Sequence, residues 1–400
     1  MKLKVAYIFT TFPKSSETFL QREVRGMREL GIDFDIYSLW GGERSFEEQP
    51  VRLFPKYWLV FVPFLLAYWS VKKPAVVWAF VKRLFFKKRH GWENFGENLL
   101  GAAFGLLYAH CFKRKGYTNI HAAWASMPAM AAWVIKCFTD IPFSMGAHAY
   151  DVFEYSGDAF LAEKAKEASF VHTSTLVAKT EMVSKGIAAD KIKMIRRGLM
   201  PMPSIKSVEE GAHAPLRIIS VGRLVEKKGY ARQLLIYKAL KEKGLPFQAK
   251  IIGEGPLRDE LVSQIRTLGL AQSVEMPGWL SYSKTESMLD WADVFLFTGV
   301  VAKSGDRDGF PNVVGEAMAK GVPVVASTVS ALPEVIRTGE NGFLVNDYDN
   351  DDAWVSALET LAQDQQTYQK IAKAARMWVE ENFDAVKNAE KIAHLFQDSL

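Results

Sequence analysis

Short apolar runs alternate along the chain with longer segments in which apolar residues recur every three or four positions. The run over 5–10 reads as a buried strand. Over 18–30, Leu20, Val24, Met27 and Leu30 fall on one side of a helix, and 32–39 reads as the next strand. The same pattern predicts strands over 120–123, 143–147 and 170–173, with helices over 127–138 and 159–168. Helices of this length between short apolar strands imply a parallel sheet covered on both faces.

The alternation breaks over 199–215, where Pro201, Pro203, Ser204, Ser207, Gly211 and Pro215 have the composition of a linker. It then restarts, with strands over 217–221, 249–252, 274–276, 293–297 and 322–326 and helices over 230–241, 256–268 and 312–320. The expected fold is α/β, with two doubly wound Rossmann-like domains facing a central cleft at their strand C-termini. The expected boundaries are 1–200 for the first domain, 201–215 for a linker that serves as hinge, and 216–385 for the second. A helical stretch over 351–397 carries Trp378, Phe383 and Phe396, and its end, 386–400, can cross back to the first domain.

Four hundred residues, 49% of them apolar, suffice for two such domains. The 24% charged share argues against a disordered or wholly membrane-embedded chain. Cys111 and Cys137 have neither metal-ligand spacing nor a disulfide framework, which fits a reducing cytoplasm. The run over 5–10 is too short for the core of a signal peptide. The net charge of +5 conceals a basic segment over 51–115, where twelve Lys and Arg stand against Glu93 and Glu97 alone. Such a segment can meet nucleic acid or an anionic membrane. Within it, 57–71 carries no charge but falls short of the roughly twenty residues a spanning helix needs. Three readings stay open: a buried hairpin with 74–86, an interfacial patch with Trp58, Phe61 and Trp69 at headgroup depth, and a basic groove for an anionic glycan or lipid-diphosphate acceptor.

The chemistry concentrates in the second half. Asp308-Gly309-Phe310-Pro311-Asn312-Val313-Val314-Gly315-Glu316 reads as a loop feeding a helix, with one carboxylate at the start of the loop and another one turn into the helix. The N–H groups of Val313 and Val314 are placed to meet phosphate oxygens, and Gly309 lets the backbone come close to a ligand. The plainer reading has both acids simply balancing the helix dipole. Gly222-Arg223-Leu224-Val225-Glu226-Lys227-Lys228-Gly229 follows a strand; Arg223 can fork onto a diphosphate and Lys228 adds a point charge, although exposed basic turns are common. Gly253-Glu254-Gly255-Pro256 is a tight turn after another strand, and Trp279 suits either a core or a stacking role. Asp33-Phe34-Asp35 and Asp347-Tyr348-Asp349 lack the placement a metal-bound diphosphate needs and are expected on surfaces.

In order and spacing these segments resemble the donor site of retaining glycosyltransferases of the GT-B fold, family 4. Phe12-Pro13-Lys14-Ser15-Ser16-Glu17-Thr18-Phe19, His148-Ala149-Tyr150-Asp151 and Asp306-Arg307-Asp308-Gly309 are similar to the bacterial exopolysaccharide, colanic-acid-type branch. The resemblance implies that Arg223 and Lys228 hold the donor diphosphate, that Glu316 holds the ribose, and that Asp308, where the family has Glu, contacts the transferred sugar. It further implies that Gly222, Gly255, Trp279, Gly309, Phe310, Val313 and Val314 line the donor. His148 would lie by the reacting sugar, with Thr11, Ser16, Glu17 and Asp151 toward the acceptor; Asp151 also reads as orienting His148, and Ser15 or Ser16 as a helix N-cap. The expected activity is retaining, metal-independent transfer of a hexose from a nucleotide sugar, UDP-linked in preference to GDP-linked. The acceptor would be a glycan or lipid-linked molecule in exopolysaccharide or O-antigen-type biosynthesis, with no obligatory cofactor and no nucleic-acid partner. The expected location is cytoplasmic, peripheral on the inner face of the plasma membrane. The rivals are a UDP-sugar epimerase and a nucleic-acid-binding protein using 51–115.

Overall fold

In a computed structural model, which describes residues 3–14, 17–86, 91–153 and 157–399, the alternating pattern builds two parallel sheets in two separate units. The first unit comprises Met1–Gly198 and Ala385–Leu400. Its strands are β1 (Lys4–Thr11), β2 (Asp33–Gly41), β3 (Ser45–Phe46), β4 (Gln49–Leu53), β5 (Asn119–Ala122), β6 (Phe143–Gly146), β7 (Val171–Thr173) and β8 (Ile192–Met194). They pair in the order β3-β4-β2-β1-β5-β6-β7-β8, all parallel except the short β3–β4 pair. Val5 to Phe9 of β1 are all buried, as a strand covered on both faces requires.

Helices α1 (Thr18–Glu29), α2 (Val62–Lys72), α3 (Pro74–Phe86), α4 (Trp92–Lys115), α5 (Met127–Thr139), α6 (Leu161–Glu167) and α7 (Leu176–Ser184) complete the main body of this unit. The basic segment forms the α2–α3 pair and α4. Trp69, Val77, Phe80 and Leu84 enter the core beside α4 and α5, so the hairpin is real, yet Phe64, Val71 and Trp78 stay exposed. Among the described residues no helix is long and apolar enough to cross a membrane.

The second unit is Leu199–Asp384. Its strands β9 (Leu216–Val221), β10 (Phe247–Ile252), β11 (Val274–Gly278), β12 (Val294–Phe297), β13 (Val324–Ser327) and β14 (Phe343–Val345) form one parallel sheet, ordered β11-β10-β9-β12-β13-β14. Six helices accompany it: α8 (Tyr230–Glu242), α9 (Arg258–Thr267), α10 (Tyr282–Trp291), α11 (Asn312–Ala319), α12 (Asp351–Gln363) and α13 (Gln365–Asn382). The last helix, α14 (Ala385–Gln397), packs on α1 in the first unit, where Phe396 meets Phe170 and His121.

The stretch read as a flexible hinge, 201–215, is fastened to the second unit. Val208 is buried in its core, and the Pro203 and Glu209 carbonyls accept hydrogen bonds from Arg376 and Gln365. Side chains of one distant helix, α13, satisfy this proline-rich backbone, which is how a linker-like composition becomes fixed structure. The chain instead passes between units at Gly198–Leu199 and again at Asp384–Ala385.

Candidate donor site and acceptor-side cluster

The loops that follow β9 and β12 meet at the C-terminal ends of the parallel strands of the second unit, where open α/β sheets bind ligands. After β9 the chain makes a 3-10 turn, Glu226–Lys228, and reverses at Gly229, whose φ is 67°. A Cβ there would lie 1.7 Å from the Thr298 carbonyl oxygen, so glycine is what lets the two loops touch. The contact is stapled by Val300 N–H donating to Lys227 O at 2.9 Å and by Lys227 Nζ 2.8 Å from Asp306. Lys228 Nζ then reaches Asp308 Oδ2 at 2.6 Å.

Asp308 is only 16% exposed at its side chain, and burial alone would push its carboxyl upward. Lys228, Lys227 and Arg223 outweigh that burial and hold it below the usual aspartate range, so the loop carries a carboxylate in a cationic frame. Arg223 is exposed and forms no ion pair with the described residues. The predicted trio of Arg223, Lys228 and Asp308 is therefore brought together. Sequence reasoning missed Lys227 and Asp306, although both lie inside the quoted motifs.

The turn after β10 interlocks with this loop. Leu224 N–H donates to Glu254 O, and Leu257 N–H donates to Leu224 O. A Cβ on Gly255 would sit 2.5 Å from Leu224 O, so Gly255 serves the approach of two backbones. Gly222 N–H donates to Ile252 O and anchors the same junction. Trp279 lies just past β11 and is 69% exposed, which overturns the reading of a buried core tryptophan.

The α11 terminus differs from expectation in two places. Val314 N–H donates to Pro311 O and is committed to the first helical turn, so it does not point to a phosphate. Phe310 is buried, its ring packed against Phe383 and Trp378, so the side chain serves the core of this unit. Gly309 O accepts Ala331 N–H, and Val313 is half-buried. Glu316 is half-buried on α11 and lines a small recess with Tyr282, Glu286 and Lys320.

A second cluster of polar groups belongs to the first unit. Beyond β6, His148 is 4% exposed, its ring edge-on to Trp124 and to His172. Burial first, then Arg197, His172 and His121, keep its pKa well below the ordinary histidine value, so the ring is neutral at pH 7. Asp151 is buried too, and burial raises its carboxyl well above the usual range. Its Oδ2 accepts Ala125 N–H at 3.1 Å, whereas Asp151 Oδ1 and His148 Nδ1 each lack a hydrogen-bond partner among the described residues, so Asp151 does not orient the His148 ring. The neighbouring loop is pinned by Lys164, fully buried, which donates to Ala125 O and Ser126 O and pairs with Asp158 at 2.8 Å.

Glu17 occupies the N-cap position of α1 without a side-chain cap bond; its carboxylate accepts Trp124 Nε1–H at 3.3 Å and pairs with Lys14. Thr11 ends β1 in register with Gly41. Ser15 and Ser16 lie outside the described residues. Trp124 and Arg197 were not singled out from sequence, yet they connect Glu17, His148 and Phe19, with the Arg197 guanidinium centred 3.2 Å over the Phe19 ring. Near them Glu23, His121 and His172 hold potential metal-ligand atoms within 4.8 Å of one another. Tyr7 donates to Glu23, His121 pairs with Ser144 and His172 with Ile195 O, so each already has a hydrogen-bond partner in this core.

Residues 204–378 match the family described as Glycosyl transferases group 1. The chain is 35% identical over 204 residues to the amylovoran biosynthesis glycosyltransferase AmsK of Erwinia amylovora, a match covering 51% of this chain and 50% of that protein. It is 37% identical over 214 residues to WcaL of Escherichia coli (strain K12), which is named as a colanic acid biosynthesis glycosyltransferase; that match covers 53% of this chain and 52% of WcaL. The chain thus spans about half the length of the curated relatives it matches. Among solved structures, Anabaena Alr3699/HepE in complex with UDP and glucose superposes with a TM-score of 0.72 at 18% identity, covering 99% of both chains. The lipopolysaccharide outer core galactosyltransferase WaaB in its apo form gives 0.69 at 16% identity over 100% of both chains. Residues 204–378, somewhat less than half of the chain, thus match the glycosyl transferases group 1 family, and the two α/β units have the GT-B fold.

Proposed function

We propose that this protein is a retaining hexosyltransferase that takes a hexose from a nucleotide sugar, UDP-linked in preference to GDP-linked, and delivers it to a glycan or lipid-linked acceptor. The observation that carries the reading is the cationic frame of Arg223, Lys227 and Lys228 around Asp308 at the strand C-termini of the second unit. Negative charge develops on the departing diphosphate, and preorganised cations there act where they matter most. Arg223 supplies a planar fork and Lys228 a point charge, so the residues present supply charge neutralisation of the kind a bound cation could otherwise give.

Asp308 contacts the transferred sugar, Glu316 the ribose hydroxyls, and Trp279 flanks the base. The donor phosphate assists deprotonation of the incoming hydroxyl on the same face of the sugar. In the first unit, His148 meets the reacting sugar as a neutral hydrogen-bonding group, and Thr11, Glu17 and Asp151 serve the acceptor side. The names of AmsK and WcaL support an exopolysaccharide or O-antigen-type product, and the UDP bound to HepE supports the nucleotide. We place the protein on the cytoplasmic face of the membrane as a peripheral enzyme, because its helical hairpin is both basic and rich in exposed aromatic residues.

The test is Arg223→Ala. Its side chain is exposed and unpaired among the described residues, so the variant folds normally while turnover falls roughly 10²- to 10³-fold. Unaltered turnover in a folded variant contradicts the assignment.

A further inference from the structure

In the first unit a cavity of about 180 Å³ opens between α2, α3, α4 and α5. Leu66, Leu84, Leu106 and Phe138 form its walls, and no polar side chain lines it. Phe85 and Leu99 stand at its mouth, 52% and 41% exposed, so it communicates with the surface. Apolar cavities of this kind accept apolar guests and exclude ordered water.

The lining limits what can enter. A peptide segment would bring N–H and C=O groups into a site with no partner for them, at a cost of a few kcal/mol each. A hydrocarbon chain has no such groups. The exposed surface of α2 and α3 narrows the choice further. Phe64, Tyr68 and Trp78 are exposed on α2 and its neighbour α3, forming aromatic side chains of headgroup-depth type. Lys72, Lys82 and Arg83 are exposed on the same two helices, which carry no Asp or Glu at all. An apolar socket walled in part by two helices with exposed cations and no acids is complementary to a chain attached to an anionic headgroup.

We propose that this cavity takes one hydrocarbon chain of an anionic bilayer phospholipid, while the exposed cations of α2 and α3, Lys72 and Lys82 among them, attract the anionic headgroups of the bilayer. The hairpin then holds the first unit at a membrane by a seated chain as well as by surface charge. This deepens the peripheral placement above but does not depend on sugar transfer.

The experiment uses the full chain without nucleotide sugar. Phosphatidylglycerol is offered in mixed vesicles and, separately, as single molecules counted per protein by native mass spectrometry. Leu106→Trp and Val81→Phe each fill the cavity from a different wall; Lys72→Glu with Lys82→Glu alters only exposed charge on α2 and α3. The wild type should retain one phosphatidylglycerol, and each filled variant should retain it about tenfold less with unchanged circular dichroism. The charge-reversed variant should lose vesicle binding at low salt. Equal lipid retention by a folded filled variant, or none by the wild type, overturns the proposal, as does preference for phosphatidylcholine. If one variant fails to fold, the other decides. A protein that retains lipid yet transfers no sugar would contradict the transferase reading and leave this one standing.

Discussion

Lys228 Nζ stands 2.6 Å from Asp308 Oδ2 beyond the C-terminal ends of the central strands β9 and β12, in a pocket of charge that also includes Lys227 and Arg223. The pair lets the protein keep two lysines close together in the place where we propose the donor diphosphate binds. It also makes Asp308 the point at which pH acts on this loop.

Replacing Asp308 by Asn leaves the lysines facing one another without their counter-charge and should cost about 2 kcal/mol of stability at pH 6 to 8. Because the three cations hold the folded carboxyl below its unfolded value, near 3.9, the contribution is fully present above that value. It is lost as pH falls through the still lower folded pKa. Thermal unfolding of the two proteins should therefore differ by a constant amount from pH 5 to 8 and converge below about pH 4. A gap that widens toward acid would show that the ion pair is not what Asp308 contributes.

Trp279 projects into solvent beside the donor loops, so removing it should leave folding intact. Stacking of a base on an aromatic ring is worth about 1–3 kcal/mol, and Trp279→Ala should raise the KM for a UDP-hexose roughly tenfold with a smaller change in kcat. An unaltered KM would move the base away from this residue.

His148 is buried and kept neutral, whereas in the unfolded chain it titrates near 6.5. As pH drops below that value the unfolded state takes up a proton that the folded state refuses, and stability falls. His148→Gln lacks this penalty. The variant should gain on the wild type by about 2 kcal/mol between pH 7 and pH 5 in thermal melts, and by little between pH 7 and 9. A pH-independent difference would mean the ring is solvated or charged.

Much of the fold is readable from the chain because its strands are short unbroken apolar runs. Val5 to Phe9, Phe143 to Met145 and Val324 to Ala326 are buried on both faces, and such runs stand out against helices with one apolar side. The helix α4 was not anticipated: Gly101, Ala102, Ala103 and Gly105 are buried in it by close contact with α5, and small residues leave no apolar stripe. The donor motifs were legible one by one, but the meeting of Lys228 with Asp308 joins loops eighty positions apart and rested on family resemblance. The core packing of Phe310 was hidden for a similar reason, since its partner Phe383 enters from α13's far end, out of reach of any local pattern. Likewise, nothing local to 201–215 announces that Arg376 and Gln365 will hold it.

The account stands or falls on whether the cationic frame receives a nucleotide sugar. The direct measurement is a donor screen by thermal unfolding with UDP- and GDP-hexoses, comparing the wild type with Arg223→Ala. At a hundredfold excess over Kd, a UDP-hexose should raise the melting temperature of the wild type by about 5 °C, GDP-hexoses should do much less, and the variant should not respond. No shift with any nucleotide sugar, or an equal shift in Arg223→Ala, would contradict it.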